Sequence, residues 1–289
     1  MTAGAAPPEK HNSINLPDGR KLAWSEWGPA SGRPVLFCTG AAMSGSLGFG
    51  TDHLHELNLR LIAIDRPGLG ASDPHLDKTF ATWTEDMRNL VSANAITSAL
   101  AVGFSQGAPF ALALASAGLV DAVAVVSGQD ELSHPDLMLK LQPDVAGLIG
   151  GVQQDPNMFE AYFAQMLNEE GLWKMIIGIS AERDKALYLQ PEFSAAFRNC
   201  LHEGFSQGPQ GYARDLVNAL RPWPFRVEDI PVPVDLWFGA TDTSTVHSPD
   251  FGATLARRLP NSTHVLDPEE AGSILWTRSR DILTQLKSH

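Results

Sequence analysis

The chain has 289 residues, 44% of them hydrophobic, with 33 acidic against 21 basic side chains and a formal net charge of −12. That length can bury a sizeable core and fits one α/β domain with room for an insertion. The acidity and the lack of a basic cluster exclude nucleic acid and anionic membrane surfaces as expected partners, and no apolar run reaches the ~18 residues of a membrane span.

The N-terminal stretch MTAGAAPPEK has no apolar core of signal-peptide type. The only cysteines are Cys38 and Cys200. Cys38 lies within an apolar, strand-like run, which argues against a structural disulfide and for a reducing compartment. A cytoplasmic location is the expectation.

In chain order, residues 12–27 read as a hairpin: Ile14-Asn15-Leu16, a turn at Pro17-Asp18-Gly19-Arg20, then Lys21-Leu22-Ala23-Trp24. Buried strands are expected at 34–37, running into Thr39-Gly40-Ala41-Ala42, and at 61–64, running into Asp65-Arg66-Pro67-Gly68-Leu69-Gly70. An amphipathic helix is expected over 82–93, and a further strand over 122–126. From about His134 to Pro224 the alternation stops. Helix-like patches rich in Met, Phe, Trp and Leu follow one another, punctuated by Gly and Pro, and predict an inserted helical lid. Its apolar positions are expected mostly as helix–helix core, with some lining an apolar pocket beneath. A strand then resumes over 232–238, a helix is expected to start at Ser248-Pro249-Asp250, a last strand at 263–266, and a closing helix over 274–287. The reading divides the chain into a core of residues 1–133 and 225–289 and a lid of 134–224. Strands alternating with helices imply right-handed crossovers and a mostly parallel sheet.

The chemistry concentrates at Gly103-Phe104-Ser105-Gln106-Gly107. An apolar strand-like run precedes it and the Ala-rich run 108–117 follows. Strand, Gly-x-Ser-x-Gly and helix in that order describe a nucleophile elbow, with the serine on a tight turn and the helix N-terminus facing a developing oxyanion. The same five letters recur at Gly204-Phe205-Ser206-Gln207-Gly208. There the preceding segment is polar and Pro209-Gln210-Gly211 follows, so Ser206 reads as a loop serine.

With these motifs, the chain resembles the α/β-hydrolase family over nearly all its length. The resemblance rests on the elbow, on Asp65-Arg66-Pro67-Gly68-Leu69-Gly70-Ala71-Ser72-Asp73, and on Pro231-Val232-Pro233-Val234-Asp235-Leu236-Trp237-Phe238-Gly239. It implies an eight-stranded, mostly parallel sheet with helices on both faces and an inserted lid. It also implies Ser105 as nucleophile, backbone N–H groups of Gln106 and Ala41 as oxyanion hole, and Asp242 as triad acid, with Asp130 in reserve. Thr39 stands where the family's oxyanion loop usually has histidine, which leaves backbone donors unaffected.

The family's base normally follows the last strand in a Gly-His pair, and here Ser273 stands at that place in Ala271-Gly272-Ser273-Ile274. A hydroxyl cannot usefully accept the Ser105 proton. His264 falls within the last strand, about 10 Å below the catalytic edge at ~3.3 Å per residue. His247, five residues after Asp242, lies on a loop at that edge and is the candidate base. The open alternative is that Ser273 marks a lost or replaced histidine. His53, His55, His75, His134 and His202 show no metal-ligand spacing, so neither metal nor other cofactor is expected. The resemblance thus implies a serine hydrolase of small or medium apolar carboxylic esters or lactones, a monomer or homodimer acting on a small molecule. The competing expectations are a catalytically impaired relative and a ligand-binding or sensing protein.

Overall fold

The computed structural model describes residues 6–289. The first five residues of the N-terminal stretch, in which no signal-type run is expected, lie outside the described residues. The predicted hairpin is β1 (Lys10–Asn15) with β2 (Lys21–Trp27), antiparallel, Asn15 facing Lys21. Gly19 at φ 89° completes its turn, a left-handed conformation that glycine adopts without a Cβ penalty. The remaining strands are β3 (Arg33–Cys38), β4 (Leu59–Ile64), β5 (Leu100–Phe104), β6 (Ala122–Val126), β7 (Val234–Gly239) and β8 (Ser262–Asp267). They form one eight-stranded sheet in the order β1-β2-β4-β3-β5-β6-β7-β8, with β2 antiparallel to β4 and every later pairing parallel.

The central strands are apolar throughout because both sheet faces are covered. Alternate residues feed two cores. Leu100, Val102 and Phe104 join one with Trp276, Leu283 and residues of the inserted helices. Ala101, Val123 and Val125 join the other with Phe80, Trp83 and the helix Ala108–Ser116. The helix Phe80–Ala93 begins at Thr79, whose hydroxyl accepts from the Thr82 N–H in a capping box.

Between β6 and β7 the chain builds helices Pro143–Gln154, Pro156–Met166, Glu169–Ile179, Glu182–Tyr188, Pro191–Gly204 and Gln210–Leu220, preceded by the short turn Pro135–Met138. Four of these segments carry proline in the first turn, where its missing N–H costs nothing, so these four prolines each open a helix. Ile149, Val152, Phe163 and Val217 form a small core of their own, whereas Leu172, Trp173, Phe193 and Phe197 pack onto the sheet beside Trp276. Met158, Tyr162 and Met166 are instead exposed.

Two expected elements differ. The helix expected from Ser248 begins only at Ala253, because Phe251 and Gly252 take positive φ and break the run; the Ser248 hydroxyl accepts from the Gly252 N–H across the break. The closing helix is divided into Ile274–Thr277 and Ser279–Lys287 at Arg278, whose φ of −117° leaves the helical region.

Candidate active site

Ser105 follows β5 directly, at the carboxyl end of a central strand, where open α/β sheets place their ligands. Its φ is 51°, left-handed for a residue with a Cβ, a conformation that costs on the order of 1–3 kcal/mol and must be held by its surroundings. The flanking glycines explain how. A Cβ on Gly107 would lie 2.0 Å from the Cys38 carbonyl oxygen, and one on Gly103 would lie 2.7 Å from the Ala108 Cα. Strand, turn and helix therefore pack backbone to backbone, and the Gln129 N–H donates to the Ser105 carbonyl at 2.9 Å from the exit of β6.

Three side chains meet here. His247 Nε2 lies 2.9 Å from Ser105 Oγ, and His247 Nδ1 lies 2.6 Å from Asp242 Oδ2. With the Nδ1 proton donated to the carboxylate, Nε2 is left to accept from the serine hydroxyl. Asp242 also accepts from the Ser244 N–H at 2.9 Å. Burial pushes the Asp242 carboxyl upward, but the adjacent imidazole and these hydrogen bonds outweigh it and hold the group below the usual carboxylate range.

The loop carrying His247 is anchored one residue on. The Ser248 N–H donates to the Gly128 carbonyl at 3.0 Å, and the Ser248 hydroxyl donates to Asp130 Oδ2 at 3.1 Å. Asp130, the reserve acid, thus contacts the serine next to His247 rather than an imidazole. Its carboxyl is pushed up to about 6 by burial.

Ser273 is fully buried on the turn after β8. Its backbone N–H donates to Asp184 Oδ1 at 2.7 Å, and the Gly272 N–H donates to Asp184 Oδ2 at 3.3 Å. Asp184 comes from the inserted helix Glu182–Tyr188. Burial and the nearby Asp242 charge raise its carboxyl above the ordinary range, against the pull of the residue 272–273 hydrogen bonds. The neighbouring Arg183 grips Glu270 with two hydrogen bonds, at 2.8 and 2.7 Å. Two consecutive residues thus dock the inserted helices on the turn after β8. Nothing in the sequence marked Asp184, one carboxylate among many in that segment.

The loop after β3 is held from below. Buried Arg66 donates to the carbonyls of Thr39 at 2.5 Å and Gly40 at 2.9 Å. Its Nε pairs with Asp215 at 2.8 Å, and Asp215 also pairs with buried Lys78 at 2.6 Å. This ion cluster was not legible in the sequence, although Arg66 sits within a recognised motif, because Asp215 arrives from 149 residues away.

Ala41, Gln106, Ser105, Asp242 and His247 all line one cavity of about 260 Å³. Most of its remaining wall is apolar, including Leu132, Leu148, Phe163, Leu167, Leu172, Met175, Ile176 and Leu216, and Gln129, Ser180, Asp184 and Ser244 add polar groups. Ser206 stays exposed after the helix Pro191–Gly204, outside that cavity. His264 is an exposed residue of β8 whose Nε2 lies 2.7 Å from the Phe251 carbonyl. Cys38 and Cys200 are both buried and unbridged. Among the described residues no group of three or more His, Cys, Asp or Glu side chains is arranged to hold a metal ion, and no helix is long and apolar enough to cross a membrane.

Comparison with known proteins gives the same architecture. A family model described as the alpha/beta hydrolase fold matches residues 33–168. A comparison with curated proteins found no match. Among solved structures, the chain is similar to a hydrolase from Pseudomonas aeruginosa PA01, at 16% identity and TM-score 0.72, covering 97% of this chain and 98% of that one. It is similar to the enol-lactonase from Burkholderia xenovorans LB400, at 17% identity and TM-score 0.70, covering 96% and 98%. It is also similar to the esterase EaEST from Exiguobacterium antarcticum, at 19% identity and TM-score 0.66, again covering 96% and 98%. The family match and these whole-chain likenesses place this chain among the α/β-hydrolase-fold proteins.

Proposed function

We propose that this protein is a cofactor-independent serine hydrolase of small or medium apolar carboxylic esters or lactones. One observation carries the reading: the hydrogen-bonded chain Ser105–His247–Asp242 opening on an apolar cavity. In this mechanism His247 Nε2 takes the Ser105 proton as Oγ attacks the substrate carbonyl carbon. The oxyanion is received by the backbone N–H groups of Gln106 and Ala41. As the tetrahedral adduct collapses, His247 returns the proton to the leaving alkoxide, leaving an acyl group on Ser105. A water molecule, deprotonated by His247, then releases the acid and restores the serine. Asp242 keeps the imidazole in the required tautomer and stabilises its protonated form. The inserted helices act as the lid that walls the acyl pocket. The enol-lactonase and esterase likenesses agree with ester or lactone chemistry.

The test is labelling by a fluorophosphonate and turnover of short p-nitrophenyl esters. Both should disappear in Ser105→Ala, with a loss of about 10⁶ in kcat, and persist in Ser206→Ala. Equal losses in the two variants overturn the assignment of the nucleophile. The competing reading, a catalytically impaired or ligand-sensing protein, rests on Ser273 at the family's histidine position. It predicts that apolar ligands bind while Ser105 resists the label and no ester turns over.

A further inference from the structure

Two polar side chains in the cavity have no work in the mechanism above. Gln106 and Gln129 are each about 3% exposed, and both line the same cavity as Ser105. No protein group pairs with either amide atom of Gln106, or with Nε2 of Gln129. Buried amides are nearly always hydrogen-bonded, because a desolvated donor or acceptor left alone is costly. An apolar pocket for a plain acyl chain could seat leucine at either position, with the same volume and no such cost. Both residues are also tied to the nucleophile through the backbone. Gln106 is the next residue, and the Gln129 N–H bonds the Ser105 carbonyl at 2.9 Å.

Resting on the hydrolase reading above, we infer that the acyl group taken by this site carries a hydroxyl near the reacting carbonyl, ahead of its apolar tail, and that Gln106 and Gln129 select for it. The choice of a hydroxyl follows from the inventory of unpaired atoms. Gln106 offers a donor and an acceptor together, and Gln129 Nε2 offers a further donor. A hydroxyl donates one bond and accepts two, which matches the number and kind of the three unpaired atoms. An ether or ketone oxygen would leave the Gln106 carbonyl unpaired. A site built to bond a substrate hydroxyl also discriminates strongly against the analogue lacking it, whereas an apolar pocket does not.

The test separates this inference from the hydrolase reading by measuring binding without turnover. In the Ser105→Ala protein, calorimetry compares ethyl hexanoate with its α-hydroxy and β-hydroxy forms. At least one hydroxylated ester should bind about tenfold tighter than the plain ester, equivalent to about 1.4 kcal/mol. Adding Gln129→Leu or Gln106→Leu should cut that preference about tenfold, while a merely structural loss would weaken all three esters alike. In the unsubstituted serine protein the same preference should appear in kcat/KM. A plain ester that binds at least as tightly as both hydroxylated forms overturns the inference, as does a preference that both glutamine substitutions leave unchanged. If the leucine variants do not fold, the comparison within Ser105→Ala decides alone. A binding preference without turnover or labelling would sink the hydrolase reading and leave this one standing. Turnover without preference does the reverse, and no binding of any of the three esters overturns both.

Discussion

At the scale of single residues, the base is the decisive question, and distance separates the two positions that compete for it. His247 Nε2 is 2.9 Å from Ser105 Oγ, whereas Ser273 is engaged through its backbone by Asp184. In the proposed mechanism His247→Ala should therefore cost about as much as losing the nucleophile, on the order of 10⁶ in kcat, because the members of such a unit act together. Asp242→Asn should cost on the order of 10⁴ by spoiling the tautomer. Ser273→His should bring no gain. Ser273 is fully buried and its neighbour Gly272 lies against Asp242, where a Cβ would be 3.2 Å from Oδ1, so the larger imidazole at residue 273 would crowd the site rather than complete it. Steady-state kinetics on one ester decide the matter. A rise of about 10³ in kcat on Ser273→His, about 4 kcal/mol at 1.36 per decade, together with a harmless His247→Ala, would move the base to the turn after β8.

At the scale of elements, the inserted helices are tied to the catalytic edge by charge as well as by apolar packing. The Gln210–Leu220 helix supplies Asp215 to Arg66 and Lys78, and Arg66 in turn holds the carbonyls of residues 39–40 just before Ala41. All three charges are fully buried, and burial pulls the Lys78 ammonium below its ordinary range. Removing one member of such a cluster leaves the others uncompensated, a loss of about 3–5 kcal/mol for a buried pair. Asp215→Asn should lower the urea-unfolding free energy by that amount. A loss below about 1 kcal/mol, the level of an exposed pair, would show that the cluster is not a structural link. The Arg183–Glu270 and Asp184–Ser273 contacts form a second tie.

For the molecule as a whole, buried carboxylates set part of the pH dependence of stability. Asp130 and Asp65 are each pushed up from 3.8 to about 6 by burial. A folded-state pKa above the unfolded value means that the folded protein binds the proton more tightly. The stabilisation is thus complete below pH 3.8 and lost as pH rises through about 6. The difference is worth about 3 kcal/mol per group. Asp130→Asn abolishes one such titration and can still accept a hydrogen bond at that site. Between pH 4 and 7 its unfolding free energy should therefore fall by about 2 kcal/mol less than that of the parent. Parallel curves for the two proteins across that range would show that Asp130 is not the titrating group.

Much of this architecture was legible in the sequence because its causes are local. Alternating strands and helices, prolines that open helices, and glycines flanking Ser105 act within a few residues of where they stand, and they predicted the strand–turn–helix at 96–117 and the contrast with Ser206. His247 could be singled out because it lies only five residues from Asp242. What the tertiary structure alone decided depends on groups far apart in the chain. His247 meets Ser105 across 142 residues, Asp215 meets Arg66 across 149, and Asp184 meets Ser273 across 89. No periodicity or motif encodes such pairs, since they depend on crossover connections that bring separate strand ends to one edge. The unpaired amides of Gln106 and Gln129 belong to the same class. A glutamine in a sequence is polar and ordinary, and only burial in an apolar cavity turns its missing hydrogen bonds into a statement about the ligand.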